Sequence, residues 1–113
     1  MPLNVRVDNN MVSLNDIYDA AGRPDYKSPA QFYRLPSCQD LIQSLVNTTN
    51  VGKSHIWDGI RGNSGGTWAH KTLAMEYARY LSNDMAVKLD RLIGSGSKSI
   101  MSLVGKMNRI KNS

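Results

Sequence analysis

The stretch "GGTWAHKTLAMEYARYLS", residues 65–82, changes its hydrophobic period half-way along. Thr67 and Ala69 alternate with Trp68 and His70, as the two faces of a strand do. From Lys71 onward the apolar residues Leu73, Ala74, Tyr77, Ala78 and Leu81 recur at helical spacing. A strand that runs directly into an amphipathic helix predicts a domain mixing α and β structure. Upstream, "KSHIWDGIRG" (53–62) places Ile56, Asp58 and Ile60 on one face and His55, Trp57 and Arg61 on the other. Two β-prone segments joined through Gly62, Asn63, Ser64, Gly65 and Gly66 read as a hairpin with a small, polar tip. Trp68 is expected to anchor that hairpin to the core, with Trp57 paired to it across the strands.

Working outward, "LNVRVDNNMVSL" (3–14) alternates at Val5 and Val7 and turns on Asp8-Asn9-Asn10, predicting a first tight hairpin. "SLNDIYDAAGRP" (13–24) carries a capping box of Ser13 and Asp16, a hydrophobic staple of Val12 on Ile17, Gly22 for the C-terminal cap and Pro24 beyond it. In "SPAQFYRLP" (28–36) Ser28 caps, Pro29 takes the first helical position and Gln31 completes a box. "SCQDLIQSLVNTTN" (37–50) restarts at Ser37 with Asp40, and turns Cys38, Leu41, Ile42, Leu45 and Val46 inward. After the central helix, "NDMAVKLDRLIG" (83–94) predicts another with Met85, Leu89, Leu92 and Ile93 inward and Asp84–Lys88 paired outside. The order is hairpin, three short helices, hairpin, two helices, tail, with no internal repeat. That describes an α+β fold: a compact single domain over 1–93 with two β-hairpins and about five helices. Residues 94–113 follow as a flexible "GSGS" break and a basic amphipathic tail with Ile100, Leu103, Val104 and Met107 at helical spacing.

A chain of 113 residues with 41% hydrophobic and 20% charged residues is globular in composition. Its single cysteine, Cys38, excludes an internal disulfide, and two histidines give no zinc-ligand spacing. No apolar run reaches membrane-spanning length and no leader pattern opens the chain, so a cytoplasmic location is expected. The net charge of +5 invites a polyanion, yet residues 1–90 balance nine Lys/Arg against nine Asp/Glu. The excess sits in Arg91, Lys98, Lys106, Arg109 and Lys111.

The glycines do not form a phosphate-binding loop, because they lead into Thr67-Trp68 rather than into Gly-Lys-Ser/Thr at a helix start. Asp58, Ser64 and His70 lie near one another in sequence, but nothing supplies a nucleophile turn or an oxyanion site. Cys38 sits on an apolar helix face and is expected to pack. No catalytic constellation, cofactor site, metal site or small-molecule substrate is therefore expected. Nucleic acid fits better. A small polar hairpin tip flanked by Arg61 and Lys71 lies along a groove, where glycine admits a phosphate and Asn63, Ser64 and Thr67 donate hydrogen bonds. The helix after Lys27 offers Gln31 and Arg34 on one face, suited to adenine and guanine edges respectively. A helix beside a β-wing is the geometry of winged-helix binding to double-stranded DNA.

The segments "SLNDIYDAAG", "SPAQFYR" and "GGTWAHKTLAMEYARYLS" resemble the KilA-N domain of bacteriophages and large DNA viruses, which is related to the fungal APSES DNA-binding domain. The resemblance covers approximately residues 5–93. It implies a winged-helix-like core that binds DNA without metal or cofactor, a phage or prophage origin and a regulatory role in the host bacterial cytoplasm. It makes Ile60–His70 the wing and the helix from Ser28 the exposed helix. It gives Gly65, Gly66, Trp68 and Ala74 structural parts, and Tyr77, Ala78 and Leu81 the packing face. Lys71 stands where many relatives have proline, which opens the first turn of its helix to question and adds a phosphate donor. Family members often carry a second domain, so this chain is either a minimal protein or a fragment. Its tail fits backbone contact, a homodimer helix, a membrane-surface helix or a linker stub, the first two being favoured. Phosphate contacts are expected from Lys53, Arg61 and Lys71, and base-edge contacts from Gln31, Arg34 or Asn63. The competing expectation is an antirepressor that binds a repressor protein through an apolar patch and touches no DNA.

Overall fold

A computed structural model describes residues 3–59 and 66–93. Two hairpins supply one antiparallel sheet of four strands in the order β1-β2-β4-β3. β1 (Val7–Asp8) turns on Asn9, at φ +56°, into β2 (Met11–Ser13). β3 (Trp57–Asp58) pairs with β4 (Trp68–His70). The seam between the hairpins is β2 against β4, with Met11 opposite His70, Val12 opposite Ala69 and Ser13 opposite Trp68. Its flanks are closed by the Leu14 N–H on the Thr67 carbonyl and the Lys71 N–H on the Asn10 carbonyl, both at 2.8 Å. Local sequence signals predict each hairpin but not this seam. The β3 segment is also shorter than its alternation suggests, because Lys53–His55 wind into a single 3₁₀ turn.

Five helices surround the sheet: α1 (Leu14–Ala20), α2 (Pro29–Tyr33), α3 (Pro36–Thr49), α4 (Lys71–Leu81) and α5 (Asn83–Ile93). Ser13 caps α1, its Oγ accepting from the Asp16 N–H at 3.2 Å. The other half of the expected box does not form, since the Asp16 carboxylate takes the backbone N–H and guanidinium of Arg6 instead. Gly22, at φ +84°, ends α1 as expected. Ser28 and Gln31 form the full capping box of α2, with Pro29 in its first turn. The Ser37–Asp40 start is corrected. α3 begins at Pro36 with Leu35 as its N-cap and no side-chain capping bond, because proline pre-sets the first turn where no N–H is required. Ser82 caps α5, its Oγ accepting from the Met85 N–H at 3.0 Å.

α4 sits at the centre, touching α1, α3, α5 and the sheet. Its Leu73, Ala74, Tyr77 and Ala78 are buried with Val12, Ile17, Ile56, Ala69 and Leu89. Each large apolar side chain in that set contributes ~1.5–3 kcal/mol through burial. Leu92 is a second correction: it is 40% exposed, and Ala86 takes the inward place beside Met85 and Leu89.

Candidate nucleic-acid interface

α2 is a short helix held from behind by aromatic rings. Phe32 is buried, with ring centroids at 5.1 Å from Tyr77, 5.5 Å from Tyr80 and 6.4 Å from Trp57. The next residue, Tyr33, lies 4.6 Å from Trp57 at the base of the second hairpin. The Lys53 ammonium stands 5.4 Å from the Tyr33 ring, and its hydrogen bond holds the Tyr33 phenol below its usual pKa against the opposing effect of partial burial. Tyr33 and Trp57 thus join the outer end of α2, the 3₁₀ turn and β3 into one surface. Lys53 on that turn and Arg34, next to Tyr33 in the chain, are both exposed.

Two other predicted contacts have structural partners. The Gln31 Oε1 accepts from the Ser28 N–H and hydroxyl, each at 3.1 Å. A bidentate grip on adenine uses both ends of the amide, and here only the amide N–H₂ end is uncommitted to the cap. Lys27 is half-buried, its Nζ donating to the Tyr80 carbonyl at 3.1 Å and lying 5.4 Å from the Tyr80 ring. That places its charge at the C-terminal end of α4, where a cation is favoured.

The root of the second hairpin is fastened to α1 through Asn15. The Thr67 N–H donates to Asn15 Oδ1 at 2.7 Å, while the Thr67 carbonyl accepts from Leu14. Gly66 has φ +80°, and a Cβ there would meet Asn15 Cγ at 2.8 Å. Asn15 carries no distinctive signal in the sequence; a polar residue in the first turn of a helix reads as solvated surface. Trp68 is 5% exposed and lies under the Arg6 guanidinium, 5.4 Å from its ring. Arg6 in turn grips Asp16 through Nε at 2.8 Å and Nη2 at 3.2 Å. Burial works to raise the Asp16 carboxyl, but the bonds and charge of Arg6 outweigh it and hold the group below its usual range.

The expected Trp57–Trp68 pair does not form. The register sets Trp57 opposite Ala69 and Trp68 opposite Asp58, so the two indoles fall on opposite faces of the hairpin. Both still pack at its base, one on α2 and one beneath Arg6. Lys71 follows the far end of β4, with its N–H on the Asn10 carbonyl, well away from Gly66. Arg61, Asn63 and Ser64 lie outside the described residues, as does the tail from 94 to 113.

His70 has a structural part. Its Nδ1 accepts from the Thr72 N–H at 3.1 Å, capping α4, which puts the imidazole proton on Nε2. Burial, with the nearby Lys71 charge, pushes its pKa down. The Cys38 thiol is buried and pushed up to about 11, so it packs rather than reacts. Among the described residues no cluster of three His, Cys, Asp or Glu side chains could hold a metal. No helix among them is long and apolar enough to cross a membrane.

Hairpin, α2 and the strand running into α4 all fall within one family match: the KilA-N domain model covers residues 2–96. The chain belongs to the KilA-N family. KilA-N is a non-catalytic family with DNA binding as its general property. The chain is also 34% identical over 79 residues to "Protein kilA" of Escherichia phage P1, a match covering 70% of this chain and 29% of that protein. The chain therefore spans less than a third of that KilA-N relative's length. No solved structure matches it significantly.

Proposed function

We propose that this KilA-N domain binds double-stranded DNA as a phage or prophage regulator acting in the host cytoplasm, by docking α2 and the β3–β4 hairpin on the duplex. The observation that supports this reading is the contact of Tyr33 on α2 with Trp57 at the base of the hairpin, with Lys53 beside the Tyr33 ring and Arg34 exposed next to Tyr33 in the chain. In this reading Lys53, Arg61 and Lys71 contact phosphates. Ser64 and Thr67 add hydrogen bonds to the backbone. Arg34 and Asn63 reach base edges, and Gln31 contributes only its amide N–H₂ donors. Lys27 has a lesser share, since its ammonium must leave the Tyr80 carbonyl to reach a phosphate. Residues 94–113 add backbone contact or self-association beyond the domain at 1–93. No metal, cofactor, small-molecule substrate or catalytic step is involved.

A salt titration tests the electrostatic part. Neutralising about four to six phosphates gives log affinity against log salt a slope of roughly −3.6 to −5.4. A slope near zero refutes it. Arg61→Ala/Lys71→Ala should weaken the mobility shift on random duplex DNA. Under the antirepressor alternative, binding to a repressor protein would ignore those two charges. The apolar stripe that alternative relies on, Ile100 to Met107, lies outside the described residues.

A further inference from the structure

Tyr26 stands out from the rest of the molecule. It is 82% exposed, more than any other large hydrophobic side chain among the described residues, and its backbone is left-handed at φ +65°. A bulky residue rarely adopts that conformation unless the surroundings impose it. Here they do. The Tyr77 hydroxyl donates to the Lys27 carbonyl at 2.7 Å, the Tyr80 hydroxyl donates to the Tyr26 carbonyl at 3.3 Å, and the Lys27 Nζ returns to the Tyr80 carbonyl at 3.1 Å. Two hydroxyls of α4 clasp backbone carbonyls of the loop, the Lys27 side chain returns a third bond to α4, and the Tyr26 ring is left out in solvent. The same loop enters from Gly22 and Arg23, which are left-handed as well at φ +84° and +53°. Nothing in the core uses the ring, and the clasp acts on backbone carbonyls that any residue supplies.

We infer that Tyr26 is a DNA-backbone contact at the leading end of α2, its ring lying against a deoxyribose and its hydroxyl donating to a phosphate oxygen. The inference rests on the duplex-binding reading above. Tyr26 immediately precedes Lys27 and Ser28, the residues that open α2, so a duplex engaged by that helix passes the ring. Tyrosine is among the side chains that bond phosphate and sugar, and such contacts set register without carrying sequence information. A ring held by a rigid loop has less freedom to lose on binding than a lysine on four rotatable bonds. Lys27, the neighbouring cation, is already engaged with Tyr80.

The test uses the full chain and two variants, Tyr26→Gly and Tyr26→Phe, with Arg34→Ala alongside. Mobility shifts on several unrelated duplexes give affinity, and thermal melts give stability. Glycine enters left-handed backbone without penalty, so Tyr26→Gly should melt no lower than wild type. It should nevertheless bind every duplex about 5- to 30-fold more weakly. Tyr26→Phe, which loses only the hydroxyl, should bind about 2- to 10-fold more weakly. Wild-type affinity in Tyr26→Gly overturns the inference, as does a lowered melting temperature or a loss confined to one DNA sequence. If wild type binds and Arg34→Ala weakens it while Tyr26→Gly does not, this inference alone falls. Failure of wild type to bind any duplex removes the underlying reading with it.

Discussion

Substituting Gly66 with alanine separates two costs that its neighbour Asn15 imposes together. At φ +80° the left-handed backbone alone disfavours alanine by ~1–2 kcal/mol. The added methyl would also stand 2.8 Å from Asn15 Cγ and 2.9 Å from its Oδ1, so the Asn15 side chain must swing away. That movement breaks the 2.7 Å bond to the Thr67 N–H. Leaving a part-buried donor unsatisfied costs ~1–3 kcal/mol. Gly66→Ala should therefore destabilise the protein by ~2–5 kcal/mol in total. Gly22 is the internal control, since it has nearly the same dihedral, φ +84°, with nothing within 4 Å of its virtual Cβ. Gly22→Ala should cost only the backbone share, ~1–2 kcal/mol. Equilibrium urea unfolding followed by tryptophan fluorescence measures both, and the gap between them should be ~1–3 kcal/mol, or roughly 4–20 °C in melting temperature. Asn15→Ala should cost a similar ~1–3 kcal/mol alone but little more in the Gly66→Ala background, because the bond it removes is already broken there. Equal losses at Gly66 and Gly22 would refute the contact with Asn15 as the cause.

Asp16 is held below the usual carboxylate range in the folded state, so its stabilisation is complete above the unfolded value of ~3.9 and is lost as pH falls through the folded one. Arg6→Ala should flatten that acid limb in melts taken from pH 5 to pH 2; an unchanged limb would remove Arg6 as the partner. His70 is also depressed on folding, so its contribution is present above ~6.5 and disappears as pH drops towards the lower folded value. His70→Asn, which preserves an N-cap acceptor, should make the melting temperature less sensitive between pH 7 and 5, and equal sensitivity would contradict the burial argument. Cys38, 2% exposed with its thiol near 11, should resist iodoacetamide at pH 8 in the native protein and react once unfolded in urea. Rapid native labelling would place it outside the core.

What was legible in the sequence was local chemistry. Ser28, Pro29 and Gln31 specify the start of α2 within four residues, and Gly22 ends α1 because few other residues take φ +84° without strain. Where two local rules compete, the sequence alone does not rank them. Pro36 displaced Ser37 as the start of α3, and Arg6 drew Asp16 out of its box from ten residues away. Strand register was harder still, because a slip of one residue reverses every side chain, and the Trp57–Trp68 expectation failed on that count. In the candidate interface, Arg34 and Lys53 are legible as cations, and both are exposed. The ties that commit Lys27 and the carbonyl end of Gln31 depend on tertiary neighbours and on which of two roles a single amide takes.

The pairing of Val12 with Ala69 has a consequence for how the molecule is made. A ribosome emits β2 long before β4, so the first hairpin waits with one edge unzipped until Trp68–His70 emerge. Two short strands alone are barely stable in water, and closing so long a loop is slow because its entropic cost precedes the contacts that reward it. Sheet and central helix must therefore arrive together, as one late event that commits both ends of the domain at once.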